Sequence, residues 1–279
     1  MPTYTGPDGA TLHYDDPRPD GTPPVIVLAG GAALHPRYLG DLAGLGGERR
    51  LVVPHLRGVG RSPLPADVEL ASFWRQADDL ERLREHLGLP RLLLLGHSAG
   101  TRLAISYAAR FPDRVAGLVL VTPPAGYLVE VPSDTPALTD RRRGEPEFDA
   151  ALAAWAAGPE SVDDAGFNAW QRTVAPLGYA AWGETERAHA ADARYSYPAN
   201  RAYFSVEPPA DLADRLGAVT APVLVIAGAR DCSAGVAQVV ALAGLFPSAD
   251  VTVLDDCGHF PWVERPTAFL HAVDTFLTA

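Results

Sequence analysis

The chain has 279 residues, 47% of them hydrophobic and 20% charged, with a formal net charge of −11 at pH 7. Those values fit one large globular domain, or a domain with a lid, and exclude a nucleic-acid surface and affinity for anionic membranes. All 23 basic residues are arginine, which excludes a Schiff-base lysine, pyridoxal-phosphate chemistry and a lysine-bearing phosphate loop. No apolar run approaches the roughly 18 residues of a membrane span. Met1-Pro2-Thr3-Tyr4-Thr5-Gly6 has neither the basic nor the apolar region of a secretory leader, so a cytoplasmic protein is expected. Cys232 and Cys257 are too few for a disulfide framework or a zinc site and read as reduced thiols.

In chain order, residues 3–5 and 10–14 flank the turn signal Gly6-Pro7-Asp8-Gly9 and predict an N-terminal hairpin. The β-branched run Val25-Ile26-Val27-Leu28-Ala29 predicts a buried strand stopped by Gly30-Gly31, and Tyr38 to Leu45 is apolar-periodic. Leu51-Val52-Val53 is the next strand. The loop His55-Leu56-Arg57-Gly58-Val59-Gly60-Arg61-Ser62-Pro63 follows it. Apolar residues spaced by three and four over 70–87 predict an amphipathic helix ended by Gly88 and Pro90. Strand 91–95 then runs into Gly96-His97-Ser98-Ala99-Gly100, with a helix continuing to about Arg110 and a strand over Val115 to Val121. This alternation predicts βαβ units and a mostly parallel sheet flanked by helices.

The alternation stops at residue 126 and resumes near 209. The intervening stretch holds Trp155, Trp170, Trp182, Tyr127, Tyr179, Tyr195, Tyr197 and Tyr203, and reads as a helical cap inserted after the sixth strand. Residues 1–125 and 209–279 would then form the core, closed by strand 222–227, a helix over 234–245, strand 251–254 and a helix over 265–277. Arg141-Arg142-Arg143 reads as a solvated face.

Gly96-His97-Ser98-Ala99-Gly100 has the G-x-S-x-G pattern of a nucleophile elbow, in the strand–turn–helix setting that it requires. The two glycines make room for a turn that lifts the Ser98 hydroxyl out of the sheet. A nucleophilic serine needs a base and a group that orients the base. In an open parallel sheet these lie beyond the carboxyl ends of strands. Gly228-Ala229-Arg230-Asp231 and Asp255-Asp256-Cys257-Gly258-His259-Phe260 occupy such positions. Hence His259 is the expected base and Asp231 its partner; Asp255 and Asp256 are rivals to Asp231, but they lie on the His259 loop itself, where they read as turn residues. The oxyanion donors are expected to be the N–H groups of Ala99 and of Gly31 in the loop after strand 25–29. His97, beside the nucleophile, should turn away from Ser98. His35 and His55 near strand ends are candidate substrate contacts.

The chain resembles the α/β-hydrolase superfamily over nearly its whole length. The carrying motifs are Leu28-Ala29-Gly30-Gly31, Arg57-Gly58-Val59-Gly60-Arg61-Ser62, the elbow, Gly228-Ala229-Arg230-Asp231, and Gly258-His259-Phe260-Pro261-Trp262-Val263-Glu264-Arg265-Pro266. It is similar in particular to the proline-iminopeptidase-like group. There, Tyr179-Ala180-Ala181-Trp182-Gly183-Glu184 matches a Trp-x-x-Trp-Glu stretch with one residue inserted, and Ala202-Tyr203-Phe204 a second segment. The glutamate with which that group binds a substrate ammonium would fall at Asn200. The resemblance implies an α/β-hydrolase fold and a serine hydrolase of small esters, thioesters or amides, with Gly30, His97, Trp182, Glu184, Tyr203 and Phe260 near the substrate. It implies no cofactor, metal, nucleic-acid or membrane partner. The aromatic cap would select an apolar group or merely glue the cap to the core. An aminopeptidase, a lyase or cyclase, and a ligand receptor are the alternatives on this fold.

Overall fold

The computed structural model describes residues 1–278. Eight strands form one sheet: β1 (Thr3–Thr5), β2 (Thr11–Asp15), β3 (Val25–Leu28), β4 (Leu51–Pro54), β5 (Leu92–His97), β6 (Val115–Val121), β7 (Val223–Gly228) and β8 (Ala249–Leu254). Their order is β1-β2-β4-β3-β5-β6-β7-β8. β1 and β2 pair antiparallel, β2 joins β4 antiparallel, and every pairing from β4 to β8 is parallel.

The unbroken apolar runs arise because the central strands are covered on both faces. Ile26, Leu28, Leu94, Leu118, Leu120 and Val225 point into one core cluster. Val27, Leu95, Val119, Val121, Leu224 and Ile226 point into the other. Helices Ala77–His86 and Ala99–Arg110 cover the first face, and Pro266–Thr278 covers the second.

The helix expected over 70–87 is two elements, a 3₁₀ turn over Val68–Ala71 and an α-helix over Ala77–His86. Ser72 separates them. Its hydroxyl donates to the Glu69 carbonyl (2.6 Å) and accepts from the Arg75 amide (3.2 Å), which offers the backbone an alternative to the helix. The Phe73 amide donates to the Tyr203 carbonyl (2.9 Å). The periodicity of Leu70, Phe73 and Trp74 therefore reflects burial of a turn. Likewise, Leu42 and Ala43 take left-handed φ values of 53° and 60°, which break the apolar segment from Tyr38 to Leu45.

Between β6 and β7 the described residues contain helices at Thr135–Asp140, Pro146–Ala157, Asp164–Val174, Glu184–Ala191, Tyr197–Tyr203 and Leu212–Arg215, and no strand. One isolated bridge joins Tyr195 of this segment to Leu34 after β3. Trp155 stacks on Trp170 at 5.0 Å, and Phe167 meets Trp170, Tyr195 and Tyr197. Arg141 and Arg143 of the arginine triplet are exposed, as expected of a solvated face, but the middle residue departs from it. Arg142 is buried, lies 4.1 Å over the Phe148 ring, and donates to Glu145 and the Tyr179 carbonyl.

Arg57, buried in the loop after β4, holds two carboxylates. It donates to Asp79 at 2.6 and 2.7 Å and to Asp8 at 2.8 Å twice. Burial raises the Asp79 carboxyl to about 6, while the Arg57 hydrogen bonds lower Asp8 to about 2. The contribution of Asp8 is thus present above its ordinary value of 3.8 and is lost as pH falls through about 2. That of Asp79 runs the other way and is lost as pH rises from 3.8 through about 6. Removing the shared cation strands both carboxylates. Arg57→Ala is expected to destabilise the fold by about 3–5 kcal/mol at pH 7, read from urea unfolding; a loss below about 1 kcal/mol, the scale of a surface pair, would mean the cluster is not what holds this loop.

Candidate active site

β5 delivers Ser98 to the carboxyl edge of the sheet. Ser98 has φ 50° and ψ −122°, a left-handed φ that non-glycine residues rarely adopt. Its amide donates to the Val121 carbonyl at 2.9 Å, which ties the turn to β6. A Cβ at Gly96 would lie 2.9 Å from the Gly100 carbonyl oxygen, and one at Gly100 would lie 2.7 Å from that of Ala29. The glycines are thus what lets helix Ala99–Arg110 start directly against β3 and β5.

A cavity of about 430 Å³ opens above Ser98. Three imidazoles line it, those of His97, His189 and His259. His97 Nε2 faces the His259 carbonyl oxygen at 2.9 Å, and Nδ1 lies 2.7 Å from the Tyr38 hydroxyl. A carbonyl only accepts, so Nε2 carries the proton and Nδ1 accepts from Tyr38. His189 repeats the pattern, with Nε2 on the Tyr38 carbonyl (2.8 Å) and Nδ1 on the Tyr179 hydroxyl (2.7 Å). Burial lowers both from the ordinary histidine value, and well below it for His97. Both rings are neutral and have both nitrogens engaged.

His259 differs. Its Nδ1 lies 2.7 Å from Asp231 Oδ2, and among the described residues its Nε2 has no hydrogen-bond partner. Asp231 is fully buried, and its other oxygen accepts from the amides of Ser233 (2.8 Å) and Ala234 (3.1 Å). Asp255 and Asp256 are exposed, and Asp256 has the φ of 48° of a turn residue. The loop bearing His259 is held from four sides. The His259 amide donates to the Gly178 carbonyl (2.7 Å), and the His259 carbonyl accepts from Thr122 (3.0 Å) and from His97. Glu264 accepts from the amides of Gly258 (3.0 Å), Phe260 (3.1 Å) and Ala180 (2.6 Å). The Ser98 hydroxyl makes no hydrogen bond among the described residues, so Ser98 and His259 share the cavity without touching through one.

Gly31, Ala32 and Ala33 follow β3 with φ values of 66°, 40° and 72°. The Gly30 amide is occupied by the Tyr38 hydroxyl (2.7 Å), whereas those of Gly31 and Ala99 meet no intramolecular acceptor among the described residues. Asn200 Nδ2 donates to the Ala32 carbonyl at 2.8 Å and reaches that of Gly31 at 3.3 Å. A carboxylate at this position has no proton to offer either carbonyl.

Of the residues read as substrate contacts, Phe260 and His97 line the cavity. The other four do not. Gly30 lies beneath the site, where a Cβ would meet Ser98 Cβ at 2.9 Å. Tyr203 is buried and donates to the Ala99 carbonyl (2.7 Å). Trp182 packs behind Tyr179 at 5.3 Å, and Glu184 is exposed on its helix. His55 bonds Asp15 (3.1 Å) and meets the His35 ring edge-to-face, both away from the cavity. Tyr38, Tyr179, His189 and Tyr195 line it instead, with Leu152 and Trp155 toward the insertion. Tyr179 opens the stretch matched to the iminopeptidase-like group, but no motif marked Tyr38, His189 or Tyr195, because segments far apart in the chain bring them together. Cys232 lines the cavity as a free thiol and Cys257 is a buried one. Among the lining residues there is no Asp, Glu or Arg. No group of three or more His, Cys, Asp or Glu among the described residues could hold a metal ion, and no helix there is long and apolar enough to cross a membrane.

A parallel sheet with a serine elbow at its carboxyl edge defines a hydrolase architecture. A family model for the alpha/beta hydrolase fold matches residues 23–266, and the chain belongs to that family. Proline iminopeptidase of Arabidopsis thaliana is 38% identical over 117 residues, 40% of this chain and 30% of its own length. The chain spans about a third of the length of the curated iminopeptidases it matches. A Bacillus subtilis (strain 168) protein named for 2-succinyl-6-hydroxy-2,4-cyclohexadiene-1-carboxylate synthase is 26% identical over 277 residues, 98% of this chain and 96% of that one. The malate-bound structure of a thermophilic esterase from Thermogutta terrifontis superposes with a TM-score of 0.71 at 25% identity, covering 99% of this chain and 97% of that one.

Proposed function

We propose that this protein is a serine hydrolase of small, uncharged esters. Ser98 Oγ attacks the ester carbonyl as His259 Nε2 takes its proton, and Asp231 fixes the imidazole and stabilises the imidazolium. The carbonyl oxygen, now negative, accepts from the amides of Gly31 and Ala99. Collapse of the intermediate breaks the C–O bond, and His259 returns the proton to the departing alcohol. Water then attacks the acyl-enzyme by the same proton route. The helical stretch 126–208 acts as a lid that supplies the far wall of the cavity.

One observation carries the assignment of the base. Of the three imidazoles around the cavity, only His259 has a nitrogen left for proton transfer, and its other nitrogen bonds a fully buried carboxylate. The absence of charge in the lining selects the substrate. An aminopeptidase must hold a free ammonium, and removing an ammonium from water without a partner is costly. Glu184 and Glu186 do not reach the cavity, and Asn200 replaces the acid that would serve. The same lining offers no cation to the carboxylate in the name of the Bacillus subtilis relative's reaction.

Turnover of p-nitrophenyl esters of rising acyl length, beside prolyl-p-nitroanilide, tests this. Esters are expected to be hydrolysed with kcat/KM at least about 10²-fold above the anilide, the scale on which an unpaired buried charge is rejected. Faster turnover of prolyl anilide would overturn the ester reading in favour of an aminopeptidase.

A further inference from the structure

We propose that helix Tyr197–Tyr203 is a clamp on the oxyanion site, with Asn200 and Tyr203 as its positioning residues. The clamp has this meaning only if the serine-hydrolase reading above holds. The two backbone donors assigned to the oxyanion sit on separate segments, Gly31 in the loop after β3 and Ala99 at the start of the helix after Ser98. The Ser98 amide ties the turn before Ala99 to β6, whereas among the described residues no hydrogen bond to a strand holds Gly31, Ala32 or Ala33. Gly31, Ala32 and Ala33 are three successive left-handed residues, two of them with a Cβ. Such a conformation persists only where the surroundings over-determine it.

Those surroundings come from one stretch of the insertion. The Arg194 carbonyl accepts from the His35 amide at 2.8 Å, and the Ser196 amide donates to the Ala33 carbonyl at 3.3 Å. The Tyr195 ring lies against Gly31, since a Cβ there would come within 2.8 Å of it. Asn200 Nδ2 then donates to the Ala32 and Gly31 carbonyls, and Tyr203, three residues further along the helix, donates to the Ala99 carbonyl. Residues three apart share a helix face, so one helix face holds the carbonyls of both donor-bearing segments. Without Asn200 the two alanines are free to relax toward negative φ, which swings the Gly31 amide off the oxyanion. Without the Tyr203 hydroxyl the peptide at Ala99 loses its buried anchor. The insertion therefore does more than cover the cavity; it sets the spacing of the two donors.

The test compares Asn200→Asp, Asn200→Ala and Tyr203→Phe with the unaltered protein. Four quantities are read: kcat and KM on a p-nitrophenyl ester, Tm, and the inhibition constant of a trifluoromethyl ketone. That ketone adds Ser98 Oγ to its carbonyl and so carries a bound oxyanion. Misplacing one donor is expected to lower kcat by about 10–10²-fold in Asn200→Asp, with KM held within about threefold. Ketone affinity should fall by the same factor as kcat/KM. Tyr203→Phe removes only a hydroxyl and keeps the ring, so it serves if a substitution at 200 does not fold. Folded variants that retain wild-type kcat and ketone affinity would overturn the clamp, as would a fall in kcat with ketone affinity unchanged. Were the unaltered protein to hydrolyse no ester and bind no ketone, the serine-hydrolase reading itself would fail. Wild-type activity with indifferent variants would sink the clamp alone.

Discussion

Ser98→Ala is expected to lower kcat on esters by about 10⁶-fold while leaving the fold intact, the scale found when a triad nucleophile is removed. The size follows from what is lost. Without Oγ there is no covalent intermediate, and the remaining rate comes from oxyanion donors acting on water attack. Stability should barely change, or even rise. Ser98 is held at φ 50° by its neighbours, and its hydroxyl makes no hydrogen bond among the described residues. Its removal therefore strands no buried partner. Circular dichroism melting beside ester turnover checks both halves. A loss below about 10²-fold, less than that from one oxyanion donor, would mean that Ser98 is not the nucleophile.

Asp231→Asn is expected to lower kcat by about 10⁴-fold, because an amide can leave the imidazole in the wrong tautomer. His259 Nδ1 now faces a carboxylate oxygen at 2.7 Å, so Nδ1 carries the proton and Nε2 is free to accept one. An asparagine that presents its NH₂ to Nδ1 moves the proton to Nε2, where it blocks attack. Asp255→Asn is the control. Its carboxylate is exposed on the turn before Cys257, so turnover should stay within about twofold of the unaltered enzyme, as for most surface substitutions. Kinetics of the two variants on one ester, at one pH, decide between them; equal damage would move the acid to Asp255.

Much of the fold was legible in the sequence. The runs at Val25, Leu92, Val115 and Val223 read as buried strands because the central sheet is covered on both faces. The elbow and the carboxyl ends of β7 and β8 brought Ser98, Asp231 and His259 forward as the proposed triad, because reactive groups of an open parallel sheet gather beyond strand ends. What escaped depends on contacts between distant segments. Nothing local told that the Ser72 hydroxyl would interrupt a helical period, or that Arg142 in a basic triplet would turn inward. Tyr203 carried a motif resemblance to substrate-binding residues, yet its hydroxyl is bonded to the Ala99 carbonyl. Trp182 and Glu184 share a helix-entry turn that faces away from the cavity. Tyr38 began an apolar-periodic segment, but nothing in that pattern told that its hydroxyl would join the amide of Gly30 to His97, which in turn holds the His259 loop. The exchange of a glutamate for Asn200 was readable as a loss of charge, but the hydrogen bonds it makes to the loop after β3 were not.

Intact-mass measurement after reaction with a fluorophosphonate, followed by peptide mapping, tests the central claim most directly. One adduct is expected, on Ser98, formed by the unaltered protein and absent from Ser98→Ala. A folded protein that takes no adduct, or takes it on another residue, would contradict an activated nucleophile at the elbow and with it the acyl-enzyme mechanism.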